Sequence, residues 1–375
     1  MTPNKGSFSL GLAQPYENPH LSAAVGFASG QSHLKLDKLT FDAPPSFRSA
    51  NKWKSDVLTV SSMSYGQSIW RCLRWLVSND AYVFLGAGVP SPAMPVTFAL
   101  ACLSGRPVLL VSEGLKSNRV SWGLRILLFI ASSSAAGQLL AVGNSAHDDY
   151  LKAGLAWPAR RFGFSEKPYR SPEIKPRVNA SGTEKVRLLV VGQLIPRKRI
   201  DWLMRALASH PLRSQLTLDI CGDGLERQNL QGLAVQLGLE VKFRGFLSGV
   251  ELSESYLNAD IFIHPAAYEG WGVVLNHAAY HGLPILAYKG VRSARDLLVQ
   301  EGVNGFVFND DNDFAIRLEQ LVRDKNVRRR FSEASKRIGR LWTVEALGAA
   351  LARLIRNPEL DEPGSGPLCV LRDCP

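Results

Sequence analysis

The chain has 375 residues, of which 46% are hydrophobic and 21% are charged. This length is enough for two domains with separate cores, and this composition argues against a disordered or fibrous protein. The five cysteines, at positions 72, 102, 221, 369 and 374, form no CxxC pair and no Cys/His cluster. Their spacing argues against a zinc site and a disulfide framework, and it predicts a reducing, cytoplasmic compartment. The N-terminal residues lack an apolar segment, so we expect no cleaved secretion signal.

The net charge of +11 is unevenly distributed along the chain. Residues 1–180 contain 19 Lys/Arg and 10 Asp/Glu, a net charge of +9, whereas residues 181–375 contain 25 and 23, a net charge of +2. Such a basic half predicts an anionic partner, either membrane phospholipid, a diphosphate-carrying acceptor or nucleic acid, with ordinary solubility charge as the alternative. Nucleic acid is disfavoured because no recognisable nucleic-acid-binding module accompanies the charge.

The first half alternates short apolar runs with helical patterns, which is typical of βα units that build a parallel sheet. The predicted strands are Ser7–Leu12, Val57–Val60, Tyr82–Leu85, Pro107–Val111 and Leu139–Val142, and the predicted helices are Gly66–Ser78, Pro92–Leu103 and Ser145–Ala153.

The segment 122–142 is apolar over about the length of a membrane span. A buried helix that runs into the strand at Leu139–Val142 explains the same pattern. A third interpretation is an interfacial helix, because Lys116, Arg119 and Arg125 surround two aromatic residues, Trp122 and Phe129. This mixture allows a helix to rest on an anionic bilayer, and we favour it over a membrane span.

Residues 171–183 are rich in Ser, Pro, Lys, Arg and Gly, which predicts an interdomain linker. The alternation of strands and helices restarts at Val186 and continues to about Arg356. The predicted fold is therefore α/β, with two Rossmann-like doubly wound domains that face each other across a cleft. Residues 1–170 form the N-terminal domain and residues 184–356 the C-terminal domain. Residues 357–375 are predicted to be a flexible tail.

The most informative motif lies between His264 and Leu286. A buried strand ends at His264, a loop with Gly270 and Gly272 follows, and a helix begins at about Val273. Such a loop presents unpaired backbone N–H groups at the carboxyl edge of a parallel sheet, where phosphate groups bind. A carboxylate at this position, Glu269, is repelled by phosphate. We therefore expect it to bind sugar hydroxyls or to stabilise positive charge that develops on a sugar ring.

This motif resembles the signature of retaining glycosyltransferases of the GT4 (group 1) type. In that family, Glu-Gly-Phe-Gly is followed after four residues by Glu-Ala-Met and then by Gly-Leu-Pro. The resemblance extends to four other segments, 186–199, 221–224, 243–247 and 301–308, and covers about 130 residues in register. It implies the GT-B fold and retaining transfer of a sugar from a nucleoside-diphosphate sugar to a hydroxyl acceptor, in polysaccharide or glycolipid assembly. It further implies that the donor is a substrate and that the enzyme has no tightly bound cofactor and no metal.

The resemblance assigns a role to each matching residue. Lys198 matches the lysine that neutralises the donor diphosphate, and Glu269 matches the carboxylate that contacts the transferred sugar, so these two are the catalytic candidates. The full set of donor-binding candidates is Gly192, Gln193, Lys198, Gly270, Gly272, Val273, Val274, Asn276 and His277.

Two of these positions depart from the family pattern. Gln193 stands where the family usually has an arginine, so its phosphate contact lacks a charge. His277 stands where the family has a second glutamate, whose two oxygens take the ribose hydroxyls. A histidine offers at most one donor and one acceptor in another geometry. Neighbouring Asn276 is expected to assist it.

The N-terminal half is expected to supply the acceptor surface. Glu113 follows the strand Pro107–Val111, and His147 follows the strand Leu139–Val142, so both are acceptor-side candidates at one sheet edge. The changes at positions 193 and 277 leave a second interpretation, a catalytically inactive binding or scaffolding subunit of a glycan assembly complex. A dinucleotide-dependent oxidoreductase is disfavoured because neither half has a GxGxxG motif after its first strand. The expected location is the cytoplasm or, as a peripheral protein, the cytoplasmic face of a membrane.

Overall fold

The computed structural model describes residues 8–14, 19–32, 35–41, 59–86, 93–115, 122–132, 137–165, 185–292, 297–357 and 367–370. The chain divides into two compact units. The first unit consists of Met1–Ser165 together with Val344–Pro375, and the second consists of Glu166–Thr343. The predicted linker, residues 171–183, lies outside the described residues.

The described part of the first unit is built on a seven-stranded sheet. Its strands are β1 (Ser9–Gln14), β2 (Lys35–Thr40), β3 (Ala81–Leu85), β4 (Val108–Ser112), β5 (Gly137–Val142), β6 (Ala159–Phe162) and β13 (Leu368–Val370). The spatial order is β13-β6-β5-β4-β3-β1-β2, and all pairs are parallel except the antiparallel pair of β13 with β6. The order of β1 to β6 reverses between β1 and β3, as in doubly wound sheets.

The described residues of this unit form six helices: α1 (Pro19–Ser32), α2 (Tyr65–Ser78), α3 (Ala93–Leu103), α4 (Trp122–Ser132), α5 (Asn144–Lys152) and α12 (Val344–Arg356). Helices α2 to α5 bury one face each in a common core with the sheet, in which Trp75, Phe98 and Tyr150 are large members. Helix α12 packs against α1 so closely that a side chain at Gly348 would lie 2.7 Å from the carbonyl oxygen of Ala24.

Three sequence predictions about this unit differ from the structure. Helix α12 lies in the first unit, not in the C-terminal domain, because its apolar face is buried on α1. The flexible tail is wrong for Leu368–Val370, because these residues form β13 and add an edge strand to β6. Within the predicted strand Val57–Val60, residues 57 and 58 lie outside the described part of the chain, and Val60 begins a 3₁₀ turn that ends at Ser62.

The second unit contains a six-stranded parallel sheet. Its strands are β7 (Val186–Val191), β8 (Leu216–Cys221), β9 (Val241–Gly245), β10 (Ile261–His264), β11 (Ile285–Tyr288) and β12 (Gly305–Phe308). Its helices are α6 (Ile200–Ser209), α7 (Arg227–Leu237), α8 (Gly249–Leu257), α9 (Val274–Tyr280), α10 (Asp311–Arg323) and α11 (Lys325–Leu341).

The strand order in this sheet is β12-β11-β10-β7-β8-β9. The chain therefore winds outward in one direction from β7 to β9 and in the other from β10 to β12. In such a sheet the loops that follow the two central strands diverge, and ligands bind at their carboxyl ends. The fold thus directs attention to the loops after β7 and β10.

The apolar segment that suggested several membrane-related interpretations divides into two elements. Residues 122–132 form α4, and residues 137–142 form the buried strand β5. In the described part of the chain, no helix is both long and apolar enough to cross a membrane.

Candidate active site at the centre of the second sheet

The loop after β7 carries three consecutive cations with different surroundings. Arg197 donates a hydrogen bond to the carbonyl oxygen of Tyr268, and Lys198 faces Glu269. Arg199 instead lies between two aromatic rings, 4.6 Å from the ring centre of Trp202 and 4.7 Å from that of Tyr288. The run is therefore not a solvated basic stretch, because each side chain has its own partners.

A 3₁₀ turn, Pro196–Lys198, positions these side chains. It ends at Arg199, which has a left-handed backbone with φ of 52° and directly precedes α6. The turn is tied to the loop after β10, because the amide of Ala267 donates to the carbonyl oxygen of Arg197 at 2.9 Å. The two loops are thus held together by the backbone as well as by charge.

Glu269 is the centre of this cluster. Its Oε2 forms ion pairs with Lys198 Nζ and, at 3.1 Å, with Arg197 Nη1. Its backbone is fixed as well, since its amide donates to Gly290 and its carbonyl oxygen accepts from the amide of Arg292. The side chains of Lys198 and Glu269 are only 12% and 18% exposed. Both predicted catalytic residues therefore meet at the carboxyl ends of the central strands.

The electrostatics keep the carboxyl group of Glu269 ionised. Burial raises its pKa, but the neighbouring ring of His264 and the ammonium group of Lys198 outweigh burial and hold the pKa well below its usual range. Burial lowers the pKa of Lys198, and the carboxylate of Glu269 partly offsets this effect. Two cations around one carboxylate leave a net positive charge, which favours an anionic ligand at this edge.

His264 was not among the predicted site residues. It is the last residue of β10, it is 1% exposed, and its Nε2 lies 3.7 Å from Oε2 of Glu269. Burial lowers the pKa of the ring, so the imidazole is neutral at neutral pH. Its position at the end of a strand beside the reversal of strand order was a signal that could have identified it.

Glycine allows the loops after β7 and β8 to touch. A Cβ atom at Gly222 would lie 1.8 Å from the carbonyl oxygen of Gly192, and Gly222 has φ of +146°. The amide of Gly192 donates to the carbonyl oxygen of Cys221. Because Gly192 itself lies beside Lys198, this contact packs the backbone beneath the lysine.

The loop after β10 also depends on a glycine. Gly272 has φ of +77°, and a Cβ atom there would lie 3.1 Å from Cγ of Glu269. The half-buried residues Gly272, Val273 and Val274 then lead into α9. The first amides of a helix have no partner within the helix, and the binding of an anion by this segment stays a prediction.

Two residues of α9 that were predicted to bind ribose are buried. Asn276 accepts a hydrogen bond from the indole N–H of Trp271 at 2.8 Å, an internal contact that fixes the loop on the helix. The ring of His277 packs edge-on against Tyr256, at 5.8 Å between ring centres. Gln193 is half-buried in the loop after β7, next to Gly192.

His281 directly follows α9, and its contacts are those of a structural residue. Burial lowers its pKa to about 4, so the ring is neutral at neutral pH. Its Nδ1 lies 2.7 Å from the carbonyl oxygen of His277, and its Nε2 lies 2.7 Å from Oγ of Ser253. The neutral ring can donate to the first group and accept from the second.

The acceptor-side candidates lie in the first unit. Glu113 is exposed and directly follows β4, whereas His147 is half-buried in the first turns of α5. Strands β4 and β5 are neighbours, so both residues follow the carboxyl ends of adjacent strands. From α5, Tyr150 donates a hydrogen bond to Oγ of Ser112, the last residue of β4, at 3.0 Å.

The chain is similar to known proteins in sequence and in fold. Residues 171–338 match the family model of the glycosyl transferases group 1. The chain is 27% identical over 214 residues to the sulfoquinovosyl transferase SQD2 of Arabidopsis thaliana, a match that covers 56% of this chain and 40% of that protein. It is 35% identical over 132 residues to the lipopolysaccharide glucosyltransferase WaaG of Escherichia coli K12, covering 35% of this chain and 34% of that protein. The matches thus span two fifths or less of these curated relatives.

Among solved structures, the chain is similar to Anabaena Alr3699/HepE in complex with UDP and glucose. The TM-score is 0.66 at 18% sequence identity, and the match covers 92% of this chain and 99% of that one. This similarity confirms the predicted α/β fold of the GT-B class.

Proposed function

We propose that the protein transfers a sugar from a nucleoside-diphosphate sugar to a hydroxyl acceptor, because residues 171–338 match the family model of the glycosyl transferases group 1. The observation that carries the proposal is the pairing of Lys198 with Glu269 where the strand order of the second sheet reverses. The complex of HepE with UDP and glucose supports a uridine nucleotide as the first donor to test.

Lys198 binds the diphosphate in this proposal. Its ammonium group is a flexible point charge that can move from the carboxylate of Glu269 to a phosphate oxygen. Arg197 remains beside Glu269 and preserves the positive charge of the site. As the sugar leaves, negative charge grows on the diphosphate, and the cation stabilises it most in the transition state. The amides of Gly272, Val273 and Val274 would bind the same phosphates.

Glu269 orients the sugar and stabilises the positive charge of the ring carbon. Because its pKa is well below the usual range, it acts as a carboxylate and not as a general acid. Transfer with retention of configuration then requires the hydroxyl group of the acceptor to attack from the face that the diphosphate leaves. The stereochemistry is testable, because NMR of the glycoside product distinguishes the two anomers.

Fewer residues of the site can be assigned to the ribose and to the acceptor. We assign His277 to a ribose hydroxyl in place of the glutamate of the family, and Gln193 to an uncharged phosphate contact. The acceptor is a sugar or a lipid-linked glycan in polysaccharide or glycolipid assembly, with Glu113 and His147 as the candidates that contact it. An acceptor of this kind agrees with a peripheral location on the cytoplasmic face of a membrane and with the basic first half of the chain.

A second candidate function is that of an inactive scaffolding subunit. It is favoured by the replacement of two family residues, at Gln193 and His277, and by the use of Asn276 to hold Trp271. Such a subunit would fold and assemble without turnover.

The test is a donor panel with the purified full chain. Thermal shift and calorimetry with UDP, GDP and their sugars should give one nucleotide that stabilises the protein. Slow release of free sugar from the matching donor should then be detectable without an acceptor. A chain that binds no nucleotide and turns over no donor contradicts the enzyme and supports the scaffold.

A further inference from the structure

The outer surface of α2 is apolar although it faces solvent. Tyr65, Ile69, Leu73 and Val77 are spaced four residues apart and form one line along the helix. All four are exposed, Tyr65 by 85% and Val77 by 76%. Trp70, which is 60% exposed, lies beside this line. The opposite side of the helix is buried in the core, so α2 has apolar residues on both sides.

The next two helices continue this surface. Helix α2 packs beside α3, and α3 packs beside α4. Their exposed apolar side chains are Val96, Leu100 and Leu103 on α3, and Ile126, Phe129 and Ile130 on α4. On α3 the spacing of four and then three residues places the exposed side chains along one line. We call the outer surfaces of α2, α3 and α4 the apolar face.

The apolar residues are concentrated on this face. Of the 20 large hydrophobic side chains that are exposed in the described part of the chain, 11 lie on these three helices. Single exposed apolar residues are common on soluble proteins, but a contiguous group across three adjacent helices indicates a surface that is covered in use.

The charges on the face are all positive. The segments of α2, α3 and α4 contain Arg71, Arg74 and Arg125 and no aspartate or glutamate. The guanidinium group of Arg74 lies over the ring of Trp70 at 5.1 Å. An acidic neighbour at the margin, Asp37, lies 3.6 Å from Arg71.

We propose that the apolar face docks this protein on an anionic phospholipid bilayer. Exposed Trp, Tyr and Phe side chains enter the region of the headgroups and upper acyl chains, while the arginines bind lipid phosphates. A second copy of this chain fits less well, because a two-fold contact would bring arginines together with no carboxylate on these helices to pair them. The proposal rests on the proposed function where it concerns a lipid-linked acceptor. Docking itself does not require the nucleotide-sugar donor.

Flotation of the full chain with vesicles tests the proposal. The vesicles are phosphatidylcholine alone or with roughly a third of phosphatidylglycerol, at about 0.01 M and about 0.15 M salt. We expect binding to the anionic vesicles, weaker binding at the higher salt, and little binding to phosphatidylcholine alone.

Two variants separate the apolar and charged contributions. Replacement of Trp70, Leu100 and Phe129 by serine should reduce the partition coefficient between vesicles and water more than about tenfold. These side chains supply apolar surface that is inserted into the bilayer. Replacement of Arg74 and Arg125 by glutamate should cause a similar loss and abolish the salt dependence. All five residues are exposed, so the folded state should persist; a thermal melt and UDP binding verify it.

Matched controls lie in the second unit. The triple variant V235S/V250S/I316S also removes exposed apolar side chains, and Arg205→Glu reverses an exposed charge. Both should bind vesicles like the wild type.

Several results would overturn the proposal. These are no binding to anionic vesicles at low salt, undiminished binding by the face variants, or a wild-type dimer that the serine variant converts to a monomer. Because UDP binding is measured on the same samples, a failure to dock is distinguishable from a failure of the donor site.

Discussion

The second sheet has a lysine–glutamate pair at each of its two edges. Lys198 and Glu269 meet at the carboxyl edge, after β7 and β10, whereas Lys185 and Glu240 meet at the amino edge, before β7 and β9. The side chains of the first pair are 12% and 18% exposed, and those of the second are 44% and 48% exposed. The residue types are the same, so the difference lies in the surroundings.

Those surroundings determine what each pair can do. The exposed pair is separated by 2.6 Å, but water and salt screen it, and such pairs contribute about 0–1 kcal/mol to stability. The half-buried pair has a second cation, Arg197, and a neutral imidazole, His264, beside the same carboxylate oxygen. Because little water reaches this pair and the positive charge is in surplus, its cation can exchange the carboxylate for a phosphate group. The first pair is therefore a candidate active site, and the second is a surface contact.

The largest expected effect is that of Glu269→Gln. Removal of the carboxylate should lower the rate of sugar transfer about 100-fold to 1,000-fold, because the positive charge that develops on the sugar ring loses its stabilisation. UDP affinity should be unchanged or higher, since Lys198 no longer has a competing partner. Rates from single-turnover assays and affinities from calorimetry measure both effects. Glu240→Gln is the matched control and should be within twofold of the wild type, roughly the effect of a weak surface pair; equal loss in both variants contradicts the assignment.

Next in size is the effect of Lys198→Met on nucleotide binding. Loss of a charged hydrogen bond to the diphosphate should weaken UDP binding about 10-fold to 100-fold, while affinity for uridine should not change. Titration calorimetry with UDP and with uridine gives the ratio of the two affinities. Lys185→Met should leave both affinities unaltered. If Lys198→Met weakens UDP and uridine equally, the lysine does not bind phosphate.

His264→Phe should have a moderate effect on the chemistry. Phenylalanine can fill the same volume and retain the stacking on Phe262, but its ring has no polar N–H group to stabilise the negative charge of Glu269. The pKa of Glu269 should rise from its depressed value, so the acid limb of the pH–rate profile should move to higher pH. We expect the transfer rate at neutral pH to fall about 5-fold to 20-fold. A lower rate with an unshifted acid limb would indicate that the histidine has only a packing role.

The smallest effect concerns the ribose. If His277 binds a ribose hydroxyl, wild-type protein should prefer UDP over 2′-deoxy-UDP or 3′-deoxy-UDP by about 2-fold to 10-fold, the value of one neutral hydrogen bond. His277→Leu should abolish that preference while the affinity for the deoxy nucleotide stays the same. Competition calorimetry measures the ratio. A preference that survives in the variant assigns the ribose contact to another residue.

The sequence predicted the second unit well because its pattern is local and strong. Apolar runs such as Val186–Val191 are bounded by glycine loops, and the motif around Glu269 combines a strand end, a loop and a helix start within a few residues. The proximity of Lys198 and Glu269 followed from the topology, since the carboxyl ends of parallel strands share one edge.

Other features depend on contacts that are distant in sequence. Helix α12 follows the second unit directly, so nothing local to Val344 indicates that its partner is α1, more than 300 residues earlier. The role of Asn276 was equally hidden, because its hydrogen bond to Trp271 depends on how the loop folds over α9. The apolar face was missed on α2 and α3 because outward and inward apolar residues look alike in a hydrophobic run.

The return of α12 and β13 to the first unit has a consequence for synthesis on the ribosome. The strands β1 to β6 leave the ribosome first, but the partner of α1 and the edge strand that covers β6 emerge only after the second unit has been made. Until then, the surface of α1 and an open strand edge stay available to other chains. We therefore expect chains truncated before Val344 to aggregate through the first unit even when the second unit folds, and nascent chains to depend on chaperones over that interval.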